Sequence, residues 1–449
     1  MCSIVGVINS PQAAHTAYYG LFSTQHRGQE ASGISASFNH HIKTIKGSGL
    51  VTDVFKKSDF ELLRGNIAIG HNRYSTAGSD SVKDAQPVSA NYALGKISIV
   101  HNGNLINKDE VRDDLISQGA IFHSNMDTEN ILHLIARARA SHLKDRIIEA
   151  VKMCKGAYCL LILSRSKMFA LRDPNGVRPL SIGRLKDGGY IVASETCAFD
   201  LVGAEFVRDV KPGEMVTFEE GKSEFSSQML FENDEIDPRI CAFEYIYFAR
   251  PDSVVEGKNV YKIRRRLGEI LAKKCADLKA DLVVPVPDSG VPAALGYAHA
   301  SGVPFEMAIV RNHYVGRPFI EPTQEMRNLK VKLKLNPMSE ILRDKEIVVI
   351  DDSIVRGTTS KKIVELLRHA GAKKIHMRIA APQIKFPEIY GIDTPTKAEL
   401  ISAQMDTDEL CKFIGADSLE FLSIDELVLG LGDERKYSLV SFDGDYFIK

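Results

Sequence analysis

The run Val348-Val349-Ile350-Asp351-Asp352-Ser353-Ile354-Val355-Arg356-Gly357-Thr358-Thr359-Ser360 constrains this chain more than any other stretch. A hydrophobic strand ends in two acids, a loop of glycine and hydroxyls follows, and a helix begins. The run belongs to a repeated rhythm. Leu282 to Val286 leads through a loop to a small-residue helix from Ala293, and Ile347 to Ile350 leads to a helix over Lys361 to His369. Gly371 ends that helix and Lys374 to Ala380 resumes a strand. Such alternation predicts a parallel sheet with helices on both faces, whose ligands sit at the carboxyl ends of the strands. A site is therefore expected in the loops after Val286 and Ile350. Backbone N–H groups at the helix start, with the Thr358 and Thr359 hydroxyls, make a socket for a phosphate monoester. Adjacent carboxylates suit sugar hydroxyls, or water on a magnesium ion. A capped helix with two solvated acids is the plainer reading of any one of these residues.

The first half reads differently. Short strand-like runs occur at Ile4 to Ile8, Ile67 to Ile69, Ile97 to Val100, Tyr158 to Leu163 and Tyr190 to Ala193. Helical stretches lie between them, such as Asp127 to Ala140 with its acidic start and i, i+3, i+4 apolar pattern. This predicts a layered α/β arrangement of mostly antiparallel strands. A chain of 449 residues exceeds one ordinary core. The acidic stretch from Glu232 to Pro238 breaks the periodicity, so two domains are expected, over residues 2–231 and 232–449.

Chemistry in the first half starts at Met1-Cys2. Loss of the initiator methionine would leave one residue carrying a thiol and an α-amino group that titrates near ~8, nucleophile and base together. Two predicted strands run into polar clusters, His71-Asn72-Arg73-Tyr74-Ser75-Thr76-Ala77-Gly78 and His101-Asn102-Gly103-Asn104-Leu105. The Asn102 amide and the Gly103 N–H can face an oxyanion, Arg73 can grip a carboxylate and Asp127 can pair with an ammonium. Each has a plainer alternative: Asn-Gly is a common hairpin turn, Arg73 a surface charge, Asp127 a helix start.

Taken in order, Cys2-Ser3-Ile4-Val5-Gly6, Gln25-His26-Arg27-Gly28-Gln29, His71 to Gly78, His101 to Asn104 and Asp127 resemble the glutaminase domain of the N-terminal-nucleophile amidotransferases. The resemblance implies a four-layer αββα fold, with Cys2 as nucleophile, Arg73, Thr76 and Asp127 holding glutamine, and Asn102 and Gly103 forming the oxyanion hole. Ser3 departs from the glycine usual after the cysteine, and its side chain is expected to crowd the site. Val348 to Ser360 resembles the phosphoribosyl pyrophosphate loop of the type I phosphoribosyltransferases. That implies substrate contacts from Asp351, Asp352, Ser353, Val355, Arg356, Gly357, Thr358 and Thr359. It also implies one magnesium ion per subunit at Ser289, Asp351 and Asp352. Pro285 to Gly290 matches the pyrophosphate-binding position, and Asp288, Ser289, Arg311 and Tyr314 are expected there, the last two on a long basic lid from residue 311 to 334.

Joined in this order, the halves resemble the amidophosphoribosyltransferase family. The resemblance implies conversion of glutamine, phosphoribosyl pyrophosphate and water to 5-phosphoribosylamine, pyrophosphate and glutamate, the opening step of purine biosynthesis. It also implies an internal passage for ammonia lined by Tyr245 to Phe248, purine nucleotides as feedback inhibitors and a homo-oligomer, tetramer or dimer. Some members carry a [4Fe–4S] cluster on four cysteines. Here Cys241 matches one position, while Glu388 and the serines of Tyr437-Ser438-Leu439-Val440-Ser441-Phe442 stand at the others, so no cluster is expected. Those members are made with a cleaved propeptide, whereas Cys2 needs only methionine removal.

Composition agrees. A net charge of −1 points to neither nucleic acid nor an anionic membrane. The start shows no basic leader or membrane-length run, which predicts a cytoplasmic protein. Seven cysteines without close pairs imply no disulfide framework, and Cys154 and Cys159 read as core. An amidotransferase with another acceptor would leave Val348 to Ser360 unexplained. A non-catalytic phosphoribosyl-fold regulator would not need Cys2, Arg73, Asn102 and Asp127.

Overall fold

The computed structural model describes residues 1–74, 82–312, 335–392, 396–432 and 436–448. Thirteen strands build the first half: β1 (Ser3–Ile8), β2 (Ala31–Phe38), β3 (His41–Ser48), β4 (Ile67–Arg73), β5 (Val88–Tyr92), β6 (Gly95–Leu105), β7 (Gly156–Leu163), β8 (Lys167–Arg172), β9 (Ser181–Arg184), β10 (Tyr190–Ala193), β11 (Glu205–Asp209), β12 (Glu214–Glu219) and β13 (Ser226–Met229). They form a seven-stranded sheet, β11-β9-β10-β1-β4-β2-β3, and a six-stranded one, β13-β12-β8-β7-β6-β5. Every pairing within them is antiparallel.

The period-2 alternation of β1 explains the layers. Ile4 and Ile8 join a core between the sheets with Ile67, Ile69, Cys159, Leu161 and Val192. Val5 and Val7 face the other way, toward Ala13, Ala17 and Leu21 of α1 (Ala13–Ser23). On the far side of the second sheet, Ile99, Leu160 and Ile162 pack on α2 (Asp127–Arg137) and α3 (Leu143–Lys152) through Ile131, Ile135 and Ile147. The result is helix, sheet, sheet, helix. Cys159 lies fully inside and Cys154 is buried, and all seven cysteines are free thiols.

No strand or helix covers residues 230–239, the acidic stretch read as a linker. Beyond it, β14 (Leu282–Pro285), β15 (Glu346–Asp351), β16 (Lys374–Ile379) and β17 (Ser418–Phe421) lie side by side in a parallel sheet. Val283, Val348 and Ile350 face α4 (Val260–Lys274) and α5 (Val291–Ser301). Val284, Ile347 and Val349 face α6 (Thr358–His369) through Ile363, Val364 and Leu367. Both faces are covered, as the apolar runs require. The halves share one apolar cluster: Met1, Ala157 and Val177 pack with Tyr245, Ile384, Tyr390 and Phe442. Among the described residues no helix is long and apolar enough to cross a membrane.

Candidate active site

Cys2 immediately precedes β1, the central strand of the seven-stranded sheet, which is laddered to β10 and β4. Its thiol donates to the Tyr74 carbonyl at 3.8 Å, and its carbonyl accepts from Arg27 Nε at 3.0 Å. Met1 is buried, its sulfur against the Arg178 guanidinium. Burial pushes the Met1 amine down to about 5 and pushes the Cys2 thiol above its ordinary range. Ser3 does not crowd this site. Its hydroxyl donates to Thr24 Oγ1 at 2.6 Å, at the end of α1. The alternation of β1 thus turns Ser3 toward the helix layer.

Both polar clusters continue their strands rather than ending them. β4 runs through Arg73 and β6 through Leu105, so Asn102-Gly103 is strand interior and not a hairpin turn. Gly103 has φ 153°, and a Cβ there would lie 2.0 Å from the Ala157 carbonyl oxygen of the neighbouring strand. Asn102 is fully buried, with neither its Oδ1 nor its Nδ2 hydrogen-bonded. An amide without a partner beside the Gly103 N–H is what a developing oxyanion would need. Arg73 is 8% exposed with Asp84 at 3.7 Å, a buried cation rather than a surface charge. Asp127 starts α2 and also turns inward, accepting from the Leu105 N–H at 3.0 Å with His101 Nδ1 at 3.2 Å. Burial would raise its pKa, but His101 and the Leu105 N–H hold it below the usual carboxylate range. Cys2, Arg73, Tyr74, Gln86, His101, Gly103, Asp127 and Gly391 line one cavity of about 90 Å³. Thr76 lies outside the described residues.

The sequence reading assigned no part to Gln86 or Gly391, and none to His101 as the partner of Asp127. Gln86 Oε1 accepts from the His101 N–H at 2.7 Å, which fixes the strand that carries Asn102. His101 was visible as a letter in the cluster, but its contact depends on pairing with a helix 26 residues away. Gly391 belongs to the other half, and nothing local marks it.

The Asp351-Asp352 pair lies at the carboxyl end of β15, beside the carboxyl end of β14. Asp351 and Asp352 are both 7% exposed. The Asp352 N–H donates to Asp351 Oδ1 at 2.9 Å, and the Ser353 hydroxyl to Asp352 Oδ2 at 2.5 Å. Burial, then the neighbouring Asp352 carboxylate, pushes Asp351 well above its usual range. Sugar hydroxyls or a divalent cation would relieve that repulsion, so this donor set fits magnesium. Gly357 has φ 69°, and its turn starts α6 at Thr358, three residues before the predicted Lys361.

Some side chains point elsewhere than expected. Arg356 is exposed and pairs with Glu399 at 3.0 Å, away from the loop interior. Val355 offers its backbone, its carbonyl accepting from the Ile401 N–H at 3.0 Å. Arg311 pairs with Asp288, so each is occupied by the other in this state. Tyr314 and most of the 311–334 segment lie outside the described residues. Tyr245 does not line a passage: it is fully buried in the core, its hydroxyl donating to the Val255 carbonyl at 3.1 Å. Tyr247 and Phe248 do line a cavity of about 630 Å³ between the halves, with His26, Arg27, Tyr74, Arg264, Asp288, Ser289, Arg311 and Thr359. Tyr74 is in the wall of both cavities.

Where other members would hold a cluster, Cys241 pairs with Ser438 in a short parallel ladder. Glu388 is committed to Arg178 at 3.1 Å, and the Ser438 and Ser441 hydroxyls are buried without hydrogen-bond partners. One thiol, two hydroxyls and an ion-paired carboxylate do not fit a [4Fe–4S] cluster. Among the described residues no three His, Cys, Asp or Glu side chains form a metal cage.

Residues 71–200 match the family model described as a glutamine amidotransferase domain, and residues 252–386 that of a phosphoribosyl transferase domain. Amidophosphoribosyltransferase 1, chloroplastic, of Arabidopsis thaliana is 48% identical over 450 residues, covering 100% of this chain and 79% of that one. The amidophosphoribosyltransferase of Staphylococcus aureus (strain MRSA252) is 46% identical over 451 residues, 99% of this chain and 90% of that one. This chain belongs to the amidophosphoribosyltransferase family. It is a glutamine-dependent pentosyltransferase of the first step of purine biosynthesis. The solved structure of a glutamine phosphoribosylpyrophosphate amidotransferase from B. subtilis, complexed with ADP and GMP, is 43% identical with a TM-score of 0.94. It covers 100% of this chain and 98% of its own. Tyr74 is the residue that these two cavities have in common.

Proposed function

We propose that this amidophosphoribosyltransferase makes ammonia at Cys2 and consumes it over the Asp351 to Thr359 loop. Excision of Met1 frees the Cys2 α-amino group, which takes the thiol proton as sulfur attacks the amide carbon of glutamine. Arg73 grips the α-carboxylate and Asp127 the α-ammonium, with Thr76 beside them, so the amide is presented to the thiolate in one orientation. The Gly103 N–H and the Asn102 amide stabilise the oxyanion, and collapse returns the proton to nitrogen and releases ammonia. Water then cleaves the thioester to glutamate.

At the second site Ser353, Val355, Arg356, Gly357, Thr358 and Thr359 hold the 5′-phosphate, mostly through backbone N–H groups and hydroxyls, and Asp351 and Asp352 accept from the ribose hydroxyls. Asp288, Ser289, Arg311 and Tyr314 receive the pyrophosphate once the Asp288–Arg311 pair opens. Ser289, Asp351 and Asp352 would hold one magnesium ion per subunit, which when bound would supply charge neutralisation for the leaving group. Ammonia adds at the anomeric carbon as the pyrophosphate bond breaks, and the surplus proton passes to water.

The observation that carries this reading is Tyr74, whose carbonyl accepts from the nucleophile and which walls both cavities. Ammonia passing Tyr74 stays out of bulk water, where protonation would remove its lone pair. Domains over 2–231 and 232–449, a homo-oligomeric assembly, purine-nucleotide inhibition and a cytoplasmic location complete the proposal. A Cys2→Ala protein is expected to lose glutamine-dependent phosphoribosylamine synthesis by at least 10³-fold and to keep the ammonia-dependent reaction. Joint loss of both activities in folded protein would refute two separate sites.

A further inference from the structure

The wall of the glutamine cavity that faces Gly103 comes from the phosphoribosyltransferase half. Gly391 lines that cavity with φ 115°, and a Cβ on it would lie 3.0 Å from both Cα and C of Gly103. Asn104, next along β6, donates from Nδ2 to the Ile389 carbonyl at 2.8 Å. Segment 388–392 is thus seated backbone-to-backbone on the strand carrying Asn102 and Gly103.

One ion pair fixes that seat. Arg178, fully buried, donates from Nη2 to Glu388 Oε1 at 3.1 Å and to the Tyr390 carbonyl at 2.9 Å, and from Nε to the same carbonyl at 3.2 Å. The other oxygen of Glu388 accepts from the Ile392 N–H at 2.6 Å. The carboxylate therefore closes its own loop around Gly391 while Arg178 ties that loop to the glutaminase half. Two further bonds brace the rear: Tyr446 Oη donates to the Pro387 carbonyl at 2.7 Å and the Ile448 N–H to Tyr390 Oη at 3.1 Å.

The geometry points to Glu388 and Arg178 as positioning residues for the glutaminase oxyanion hole, acting by pressing Gly391 against Gly103 from the other domain. This rests on the reading of Asn102 and Gly103 as that hole. Oxyanion donors act at about 2.7–3.1 Å from the developing charge, and a misplacement on the order of 1 Å costs up to about 10²-fold, so a loosened wall lowers turnover. Glutamine affinity rests instead on Arg73 and Asp127, which are held by Asp84 and by His101 and the Leu105 N–H respectively.

The test uses the full-length protein with three variants, assaying glutamine hydrolysis and ammonia-dependent synthesis separately. Glu388→Gln is expected to lower kcat for glutamine on the order of 10-fold and to leave KM for glutamine and the ammonia reaction within about 2-fold. Gly391→Ala, which disturbs the same contact without changing charge, should likewise lower kcat for glutamine while sparing the ammonia reaction, and decides the matter if Glu388→Gln does not fold. A merely structural role would lower both activities together. Asn102→Ala separates the two claims. If it lowers kcat on the order of 10² or more while the other two variants match wild type, the clamp is refuted and the oxyanion hole stands. If Asn102→Ala turns over normally, the hole itself is misassigned and the clamp falls with it.

Discussion

Asp127 serves a helix and a cavity at once. It begins a helix, as its acidic context suggests, and its carboxylate faces the cavity beside Cys2 and Arg73. Its ionised form is favoured by His101 and the Leu105 N–H against the cost of burial. Asp127→Asn keeps the shape and removes the charge that pairs with an ammonium. That exchange is expected to raise KM for glutamine by about 10- to 100-fold, the value of one charge-assisted hydrogen bond, with the ammonia-dependent rate unchanged; steady-state kinetics on both substrates check it. At this scale the sequence shows the chemical letters plainly. Cys2, Arg73, Gly103 and Asp127 are brought together as their residue types suggest. Gln86 and Gly391 are hidden, because their parts depend on what crosses over them rather than on what they are.

Among elements, the apolar strands and the parallel sheet are legible because period-2 alternation and strand–loop–helix rhythm are local signals. Strand ends are not. β4 continues through His71, Asn72 and Arg73 because the interior supplies partners: Asn72 Nδ2 donates to the Leu21 carbonyl at 2.7 Å, and His71 Nε2 lies 3.2 Å from the His101 carbonyl. Burial holds His71 neutral, its pKa pushed down to about 3. The aromatic run at the junction misleads for the same reason, since only the fold decides that Tyr245 enters the core while Tyr247 faces the cavity. Gly357 is the turn between the loop at 352–356 and α6. At φ 69°, with an added Cβ 3.3 Å from Phe413, Gly357→Ala is expected to cost about 1–2 kcal/mol of stability. It should also raise KM for phosphoribosyl pyrophosphate several-fold. Thermal unfolding and kinetics read the two effects.

Across the whole molecule, buried arginines of the first half reach carboxylates of the second: Arg27 to Glu244 at 2.8 Å, Arg172 to Glu256 at 2.6 Å and Arg178 to Glu388 at 3.1 Å. Partners 84 to 217 residues apart leave no local trace in a sequence. Glu195 stands at the centre of this arrangement, bonded to Arg27 at 2.6 Å, His26 at 2.8 Å and Ser253 at 2.7 Å. Burial works against its charge, yet His26 and Arg27 hold its carboxyl far below the ordinary range. Its ionised form therefore contributes stability in full above about pH 4.3, the unfolded value, and loses it as pH falls toward the folded one. Glu195→Gln is expected to lower stability by about 3–5 kcal/mol, leaving Arg27 undercompensated. In urea titrations that deficit should persist from pH 8 to about 5 and narrow below about 4.

The same scale holds the central claim, that ammonia released beside Cys2 reaches the second site past Tyr74 without entering solvent. Glutamine carrying ¹⁵N in its amide, turned over with phosphoribosyl pyrophosphate in equimolar unlabelled ammonium, tests it directly. Phosphoribosylamine is expected to keep nearly all of the ¹⁵N. Product carrying the isotope ratio of the bulk ammonium would contradict it.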